Sequence, residues 1–310
     1  MKVLISGGSG FIGTNLTQSL LEHGHEEVRI LTRDISNKQS NEQVKYYKWD
    51  VEKGEMDMAA LMGVDAVINL AGENIADSRW SEEKKDKIYN SRINATNLLH
   101  DKLKQLGTRG LPLPKKFVST SAIGIYGDRS DEELTSDSSI SGDFLAEVCQ
   151  HWESSALRIQ NLEIDVKIIR VGIVLSSEGG ALAKMLPAFN LGLAGRIGDG
   201  HQYMSWIHIR DLCDLYCFLI EHDTEKQVIN GVAPNPIENI DFTQTLGRVL
   251  HRPTFIPLPE FAAKTIFGEM SQIMLASQKV SCEENKACGF EYSFNFLEAA
   301  LRDTLKNHSE

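Results

Sequence analysis

Gly7-Gly8-Ser9-Gly10-Phe11-Ile12-Gly13 constrains this chain more than any other segment. The apolar run Val3-Leu4-Ile5 leads into it, and a helix-like stretch from Asn15 to Glu22 follows. The spacing fits G-x-x-G-x-x-G through Gly7, Gly10 and Gly13, and G-x-G-x-x-G through Gly8, Gly10 and Gly13. Strand, glycine turn and helix in that order are what a dinucleotide site needs. The first glycines permit a tight turn and close approach of backbone to a pyrophosphate, and the last lets the helix pack on the strand. The helix N-terminus then aims unpaired N–H groups at the phosphates. An ordinary glycine turn is the alternative, disfavoured by the flanking strand and helix.

The second strand, Val28-Arg29-Ile30-Leu31, ends in Thr32-Arg33-Asp34. An acidic residue there would bond the ribose 2′-hydroxyl of NAD, whereas an Arg accommodates the 2′-phosphate of NADP. The planar, permanently charged guanidinium of Arg33 suits a phosphate, so NADP(H) is the expected cofactor. Asp34, turned inward, would serve NAD instead.

The chain has 310 residues, enough for one large α/β domain with a smaller companion. Apolar residues make up 42%, and the net charge of −11 comes without long basic runs. Nucleic acid and anionic membrane are therefore not expected as partners. No apolar run reaches the roughly 20 residues of a membrane span, and no secretory pattern precedes the first strand. The five cysteines, Cys149, Cys213, Cys217, Cys282 and Cys288, form no C-x-x-C pair. They read as core thiols of a reduced, cytoplasmic protein with no metal.

Strand and helix signals alternate through the first half. Further strands are expected at Val44 to Trp49, Asp65 to Leu70, Lys116 to Thr120 and Asp165 to Arg170, and helices at Ser81 to Gln105 and Gly142 to Asn161. Such alternation means βαβ units and a doubly wound, mostly parallel sheet. Its ligands lie beyond the carboxyl ends of the strands. After residue 175, glycines and prolines mark a loop-rich section, with a short strand at Trp206 to Ile209, a helix at Asp211 to Ile220 and an amphipathic helix at Asn295 to Lys306. The expected division is a nucleotide-binding domain over 1–175, with a return over about 205–232, and a smaller capping region over 176–310.

The glycine segment, Asn69-Leu70-Ala71-Gly72, Ser119-Thr120-Ser121 and Tyr126-Gly127 resemble the extended short-chain dehydrogenase/reductases, whose fold is a Rossmann sheet. Ala71-Gly72-Glu73-Asn74-Ile75, Gly198-Asp199-Gly200-His201-Gln202, Trp206-Ile207-His208-Ile209-Arg210-Asp211-Leu212 and Ile256-Pro257-Leu258-Pro259 resemble its atypical "epimerase family protein" branch, which is epimerase/dehydratase-like with a C-terminal domain of unknown function. The resemblance implies NADP(H) in the glycine turn, with Ser9, Phe11 and Ile12 beside Gly7, Gly10 and Gly13. It places Thr32 and Arg33 at the 2′-phosphate, Asp50 near the adenine, and Leu70, Ala71 and Gly72 along the riboses. Arg92 comes from the long helix, and Val174 lies near the nicotinamide. Glu73 serves either a ligand polar group or a helix cap. A homodimer through helices flanking the sheet is the family's suggestion for assembly.

Active members of the larger family pair a Tyr with a Lys four residues later, plus a Ser on the preceding strand. None of the seven tyrosines here has that Lys, and the segment from Asp143 to Glu153 holds neither residue. An unassisted Tyr, with its pKa near 10, is a poor proton shuttle at neutral pH. Ser121 remains as a hydrogen-bonding group for a substrate oxygen. Tyr126 is either a proton donor or a packed loop aromatic, and His208 either a donor or a buried structural His. Two functions are expected from this pattern. One is an NADP(H)-dependent oxidoreductase acting on a small carbonyl or hydroxyl compound, with Ser121, Tyr126 and His208 as its catalytic candidates. The other is a catalytically weak or inactive NADPH-binding sensor.

Overall fold

The computed structural model describes residues 1–306. In β1 (Lys2–Ser6), Val3, Leu4 and Ile5 are all fully buried, as in a parallel strand covered by helices on both faces. The chain turns through the glycines into α1 (Phe11–Glu22), then runs as β2 (Glu27–Thr32), β3 (Val44–Asp50) and a short β4 (Glu55–Met56). Next come β5 (Ala66–Asn69), α2 (Glu82–Thr108), β6 (Lys116–Ala122), β7 (Glu133–Leu134), α3 (Phe144–Leu157), β8 (Asp165–Val171) and β9 (Ile173–Leu175). The second half holds α4 (Gly180–Asn190), β10 (Tyr203–Met204), β11 (Trp206–His208), α5 (Ile209–Glu221), β12 (Val228–Gly231), β13 (Ile237–Glu238) and α6 (Asn239–Leu250). It ends with α7 (Glu260–Phe267), α8 (Gln272–Leu275), β14 (Lys279–Val280), α9 (Glu283–Ala287) and α10 (Leu297–Thr304).

The main sheet has eight strands in the order β12-β8-β6-β5-β1-β2-β3-β4. All are parallel except β4, which runs antiparallel to β3. Strand order reverses between β1 and β5, and the crevice at such a switch point is where open α/β sheets bind ligands. Side-chain alternation divides the core. Val3, Ile5 and Ile30 face Leu16 and Leu20 of α1 and Leu212 and Leu215 of α5. Leu4, Leu31 and Val67 face Leu99 and Leu103 of α2 and Ala156 of α3. Each such buried Val, Leu or Ile side chain contributes about 1.5–3 kcal/mol. A third cluster, around Trp206, Phe242, Leu246 and Leu301, packs α4, α6 and α10 together.

The expected loop-rich section is more regular than its composition suggests. Gly179 caps α4 with an extended backbone rather than breaking it, and Pro187 lies inside that helix. Ser81 does cap α2, accepting from the Lys84 N–H at 3.2 Å, and Glu83 pairs with Lys87 at 2.6 Å. The helix expected over Gly142 to Asn161 stops at Leu157 and tightens into a 3₁₀ turn at Arg158–Leu162. No helix among the described residues is long and apolar enough to cross a membrane.

Candidate cofactor groove and active site

The glycine turn sits at the switch point, where its backbone is too crowded for side chains. Gly7 has φ +72°, and a Cβ there would lie 2.9 Å from the Leu70 carbonyl. A Cβ on Gly8 would meet Ile30 Cγ2 at 2.9 Å, and one on Gly13 would meet Gly7 O at 2.5 Å. Gly10 closes the turn through its N–H to Gly7 O at 3.0 Å. It also stands as the N-cap of α1, with no side-chain cap and no acidic residue in the first turn. The helix therefore offers backbone donors and the positive end of its dipole to an anion. Ser9 and Gly10 are exposed, and Phe11 and Ile12 are half-buried. Gly179 leaves room for Phe11, whose ring atoms would lie 2.7 Å from a Cβ there.

At the end of β2, Thr32 is buried and donates to Asp34 O at 3.1 Å. Asp34 accepts from the backbone N–H and hydroxyl of Ser36 at 2.8 and 2.6 Å, which hold its carboxyl below the usual range. Both bonds fall on Oδ1, in a local turn. Arg33 is exposed and makes no ion pair among the described residues. Asp50, at the end of β3, accepts from the N–H groups of Glu52 and Lys53 at 3.1 Å each.

The end of β5 supplies the opposite wall. Asn69 ties the strand ends together, accepting from Ser6 Oγ at 2.6 Å and donating to Thr96 Oγ1 at 2.9 Å. Leu70 is half-buried and Ala71 is buried. A Cβ on Gly72 would lie 3.1 Å from Arg92 Cζ, so this glycine leaves room for the guanidinium. Arg92 donates to Ile88 O at 2.8 Å and Glu73 O at 3.0 Å, and lies 5.1 Å from the Trp152 ring centroid. It has no carboxylate partner among the described residues, and burial pulls its pKa below the ordinary guanidinium value. The Glu73 carboxylate is taken by Lys84 of α2 at 2.8 Å. Val174, half-buried in β9, pairs in register with Ile207.

The three catalytic candidates do not converge on an open site. Ser121 is 1% exposed and donates to Glu153 Oε1 at 2.6 Å. Glu153 is held by Arg170 through two bonds, Nε–Oε1 at 2.8 Å and Nη2–Oε2 at 2.9 Å. Arg170 also donates to the Tyr126 hydroxyl at 3.0 Å and to Ser136 O at 2.9 Å. Tyr126 is fully buried and donates to Asn230 Oδ1 at 2.6 Å, and burial raises its pKa further from neutrality. One turn before Glu153, Cys149 is buried, its thiol pushed up to about 11 by desolvation. His208 lies elsewhere. It caps α5 by accepting the Arg210 N–H at Nδ1, packs 3.9 Å from the Phe294 ring centroid, and faces Asp303 at 3.5 Å. Desolvation lowers its pKa to about 4. Neither Glu153 nor Arg170 was given a role from the sequence. Their signal was a pair of charges on elements otherwise read as buried, which require each other.

A model of the NAD dependent epimerase/dehydratase family matches residues 3–230, and one of a domain of unknown function, DUF1731, matches residues 258–304. The chain belongs to the NAD dependent epimerase/dehydratase family. The epimerase family protein SDR39U1 of Homo sapiens is 38% identical over 309 residues, covering 98% of this chain and 100% of that protein. The chloroplastic SDR39U1 homolog of Arabidopsis thaliana is 38% identical over 307 residues, covering 99% and 87%. The crystal structure of human SDR39U1 (isoform 2) with NADPH has a TM-score of 0.87 to this chain at 36% identity, covering 99% and 100%. In this epimerase/dehydratase member, α3 carries Cys149 and Glu153 and neither Tyr nor Lys. Among the described residues, no group of three or more His, Cys, Asp or Glu is placed to hold a metal.

Proposed function

We propose that this chain binds NADP(H) and works as an oxidoreductase on a small carbonyl or hydroxyl compound, without the family's usual tyrosine shuttle. The observation that carries the reading is a helix N-terminus with no side-chain cap behind a glycine turn, with guanidinium groups at Arg33 and Arg92 that have no carboxylate partner among the described residues. Gly7, Gly10 and Gly13 would cradle the pyrophosphate, with Ser9, Phe11 and Ile12 beside it. Thr32 and Arg33 would meet the 2′-phosphate, and Asp50 would lie toward the adenine. Leu70, Ala71, Gly72 and Glu73 would line the riboses together with Arg92, and Val174 the nicotinamide. NADPH in the crystal structure of human SDR39U1 supports the choice of cofactor. When bound, the cofactor supplies the hydride, and the protein must orient the substrate and manage one proton. Ser121, Tyr126 and His208 serve in this reading as fixed polar struts, because each is buried and bonded within the fold, His208 through Nδ1 alone. A second reading, a sensor that holds NADPH without turning it over, is favoured by the closed Ser121–Glu153–Arg170–Tyr126 network.

The two readings separate in one assay. NADPH-loaded protein is mixed with aldehydes, ketones, quinones and 2-oxo acids while NADPH absorbance is followed. Oxidation that depends on one class of carbonyl supports the oxidoreductase. Tight NADPH binding with no oxidation by any of them supports the sensor.

A further inference from the structure

Lys279 is a half-buried cation with no counter-ion among the described residues. Its ammonium lies 5.2 Å from the Tyr203 ring centroid, and it makes no ion pair or hydrogen bond among the described residues. Its register partner on β7 is Glu133, yet the two side chains do not pair. The Tyr203 hydroxyl likewise has no partner among the described residues. The ammonium therefore has an aromatic face beside it and a free hydrogen-bonding capacity that an anion can take up.

The location gives that anion a meaning. Gln278, the neighbour of Lys279, donates its side-chain amide to Ile123 O at 3.1 Å and Gly127 O at 3.0 Å. Ile123 directly follows β6. The Gln278 backbone N–H donates to Tyr203 O at 3.1 Å, and its carbonyl accepts from Ser205 Oγ at 2.7 Å. Ser205 O in turn accepts the Ile173 N–H at 2.8 Å, just past β8. Lys279 and Tyr203 thus sit on segments fastened to the carboxyl ends of β6 and β8, the edge where such sheets bind their ligands. Strand alternation turns Lys279 away from the buried Val280.

We propose that Lys279, stacked over Tyr203, binds the anionic group of the substrate, which is a small carbonyl or hydroxyl compound carrying a carboxylate or a phosphate. The ammonium would take the anion as a point charge, and the Tyr203 hydroxyl would donate a second bond. The proposal rests on the oxidoreductase reading, because it assigns that reading's substrate class.

The test uses full-length protein saturated with NADP⁺, so that the phosphate positions of the groove are already filled. Oxalate and inorganic phosphate are titrated calorimetrically into the wild type and into Lys279→Met, Lys279→Arg and Tyr203→Phe. Thermal melts check folding, and a separate NADPH titration of each protein reports on the groove. The expected result is saturable binding of at least one anion, weakened roughly tenfold to a hundredfold in Lys279→Met. Lys279→Arg should retain most of it, and Tyr203→Phe should fall between. The stronger anion distinguishes a carboxylate substrate from a phosphorylated one. Cofactor binding with no anion binding, or anion binding indifferent to Lys279→Met, overturns the proposal. Absent cofactor binding overturns the underlying functional reading instead.

Discussion

Gly13 and Gly10 share one turn but are constrained by different things. A Cβ at Gly13 would strike Gly7 O and Gly8 Cα at 2.5 Å, backbone that cannot move aside cheaply. A Cβ at Gly10 would meet only Gly7 O, at 3.2 Å. Gly13→Ala should therefore lower both stability and NADPH affinity, with a loss of about 1–3 kcal/mol in urea unfolding. Gly10→Ala should leave stability nearly unchanged and still weaken NADPH, because its methyl would fill the phosphate's approach. A Gly10→Ala protein with wild-type affinity would contradict the cradle. His208 carries a pH prediction. Its folded pKa of about 4 lies below its ordinary 6.5, so the unfolded chain binds more protons between those values. Stability from this group is present above pH 6.5 and lost as pH falls toward 4, on the order of 3 kcal/mol. Burial raises Asp211 to about 6, and this acts in the opposite direction over much of the same window. With the other groups common to both proteins, His208→Gln should gain stability relative to wild type as pH falls. Urea unfolding of both proteins from pH 7 to pH 4 checks this, and parallel curves would contradict it.

Ser121, Glu153 and Arg170 join β6, α3 and β8 through buried, charge-assisted bonds. Removing one partner of such a pair strands the other. Glu153→Ala should cost about 3–5 kcal/mol in chemical denaturation, and a loss near zero would show that the network is not structural. The network also shows what sequence reading could reach. The strands with uniform apolar runs, such as Val3-Leu4-Ile5, and the capped start of α2 were legible because local chemistry dictates them. The glycine turn was legible because Gly7, Gly8 and Gly13 have no room for a side chain. The commitments of Ser121, Tyr126 and His208 were not, since each depends on partners far along the chain: Ser121 on Glu153, Tyr126 on Asn230, His208 on Phe294. α4 was hidden for a different reason. Gly179-Gly180 and Pro187 are breakers on average, and here they cap and sit within a helix whose Leu182, Leu186 and Phe189 are buried against the third core cluster.

For the whole molecule, topology and charge act together. The sheet order reverses beside β1, and in a chain of net charge −11 Arg33 after β2 and Arg92 beside Gly72 have no carboxylate partners among the described residues. The flanking helices present polar residues outward, Asp86, Asn90 and Asn94 on α2 and Glu147, Gln150 and Ser154 on α3. A dimer through those faces would be held by polar contacts. The most direct measurement is a calorimetric titration of the wild type and Arg33→Ala with NADPH and NADH in parallel. Tight NADPH binding, weaker NADH binding and a preference that falls roughly tenfold to a hundredfold in the variant are the expected results. Equal affinity for the two dinucleotides, or a preference untouched by Arg33→Ala, would contradict the proposed groove.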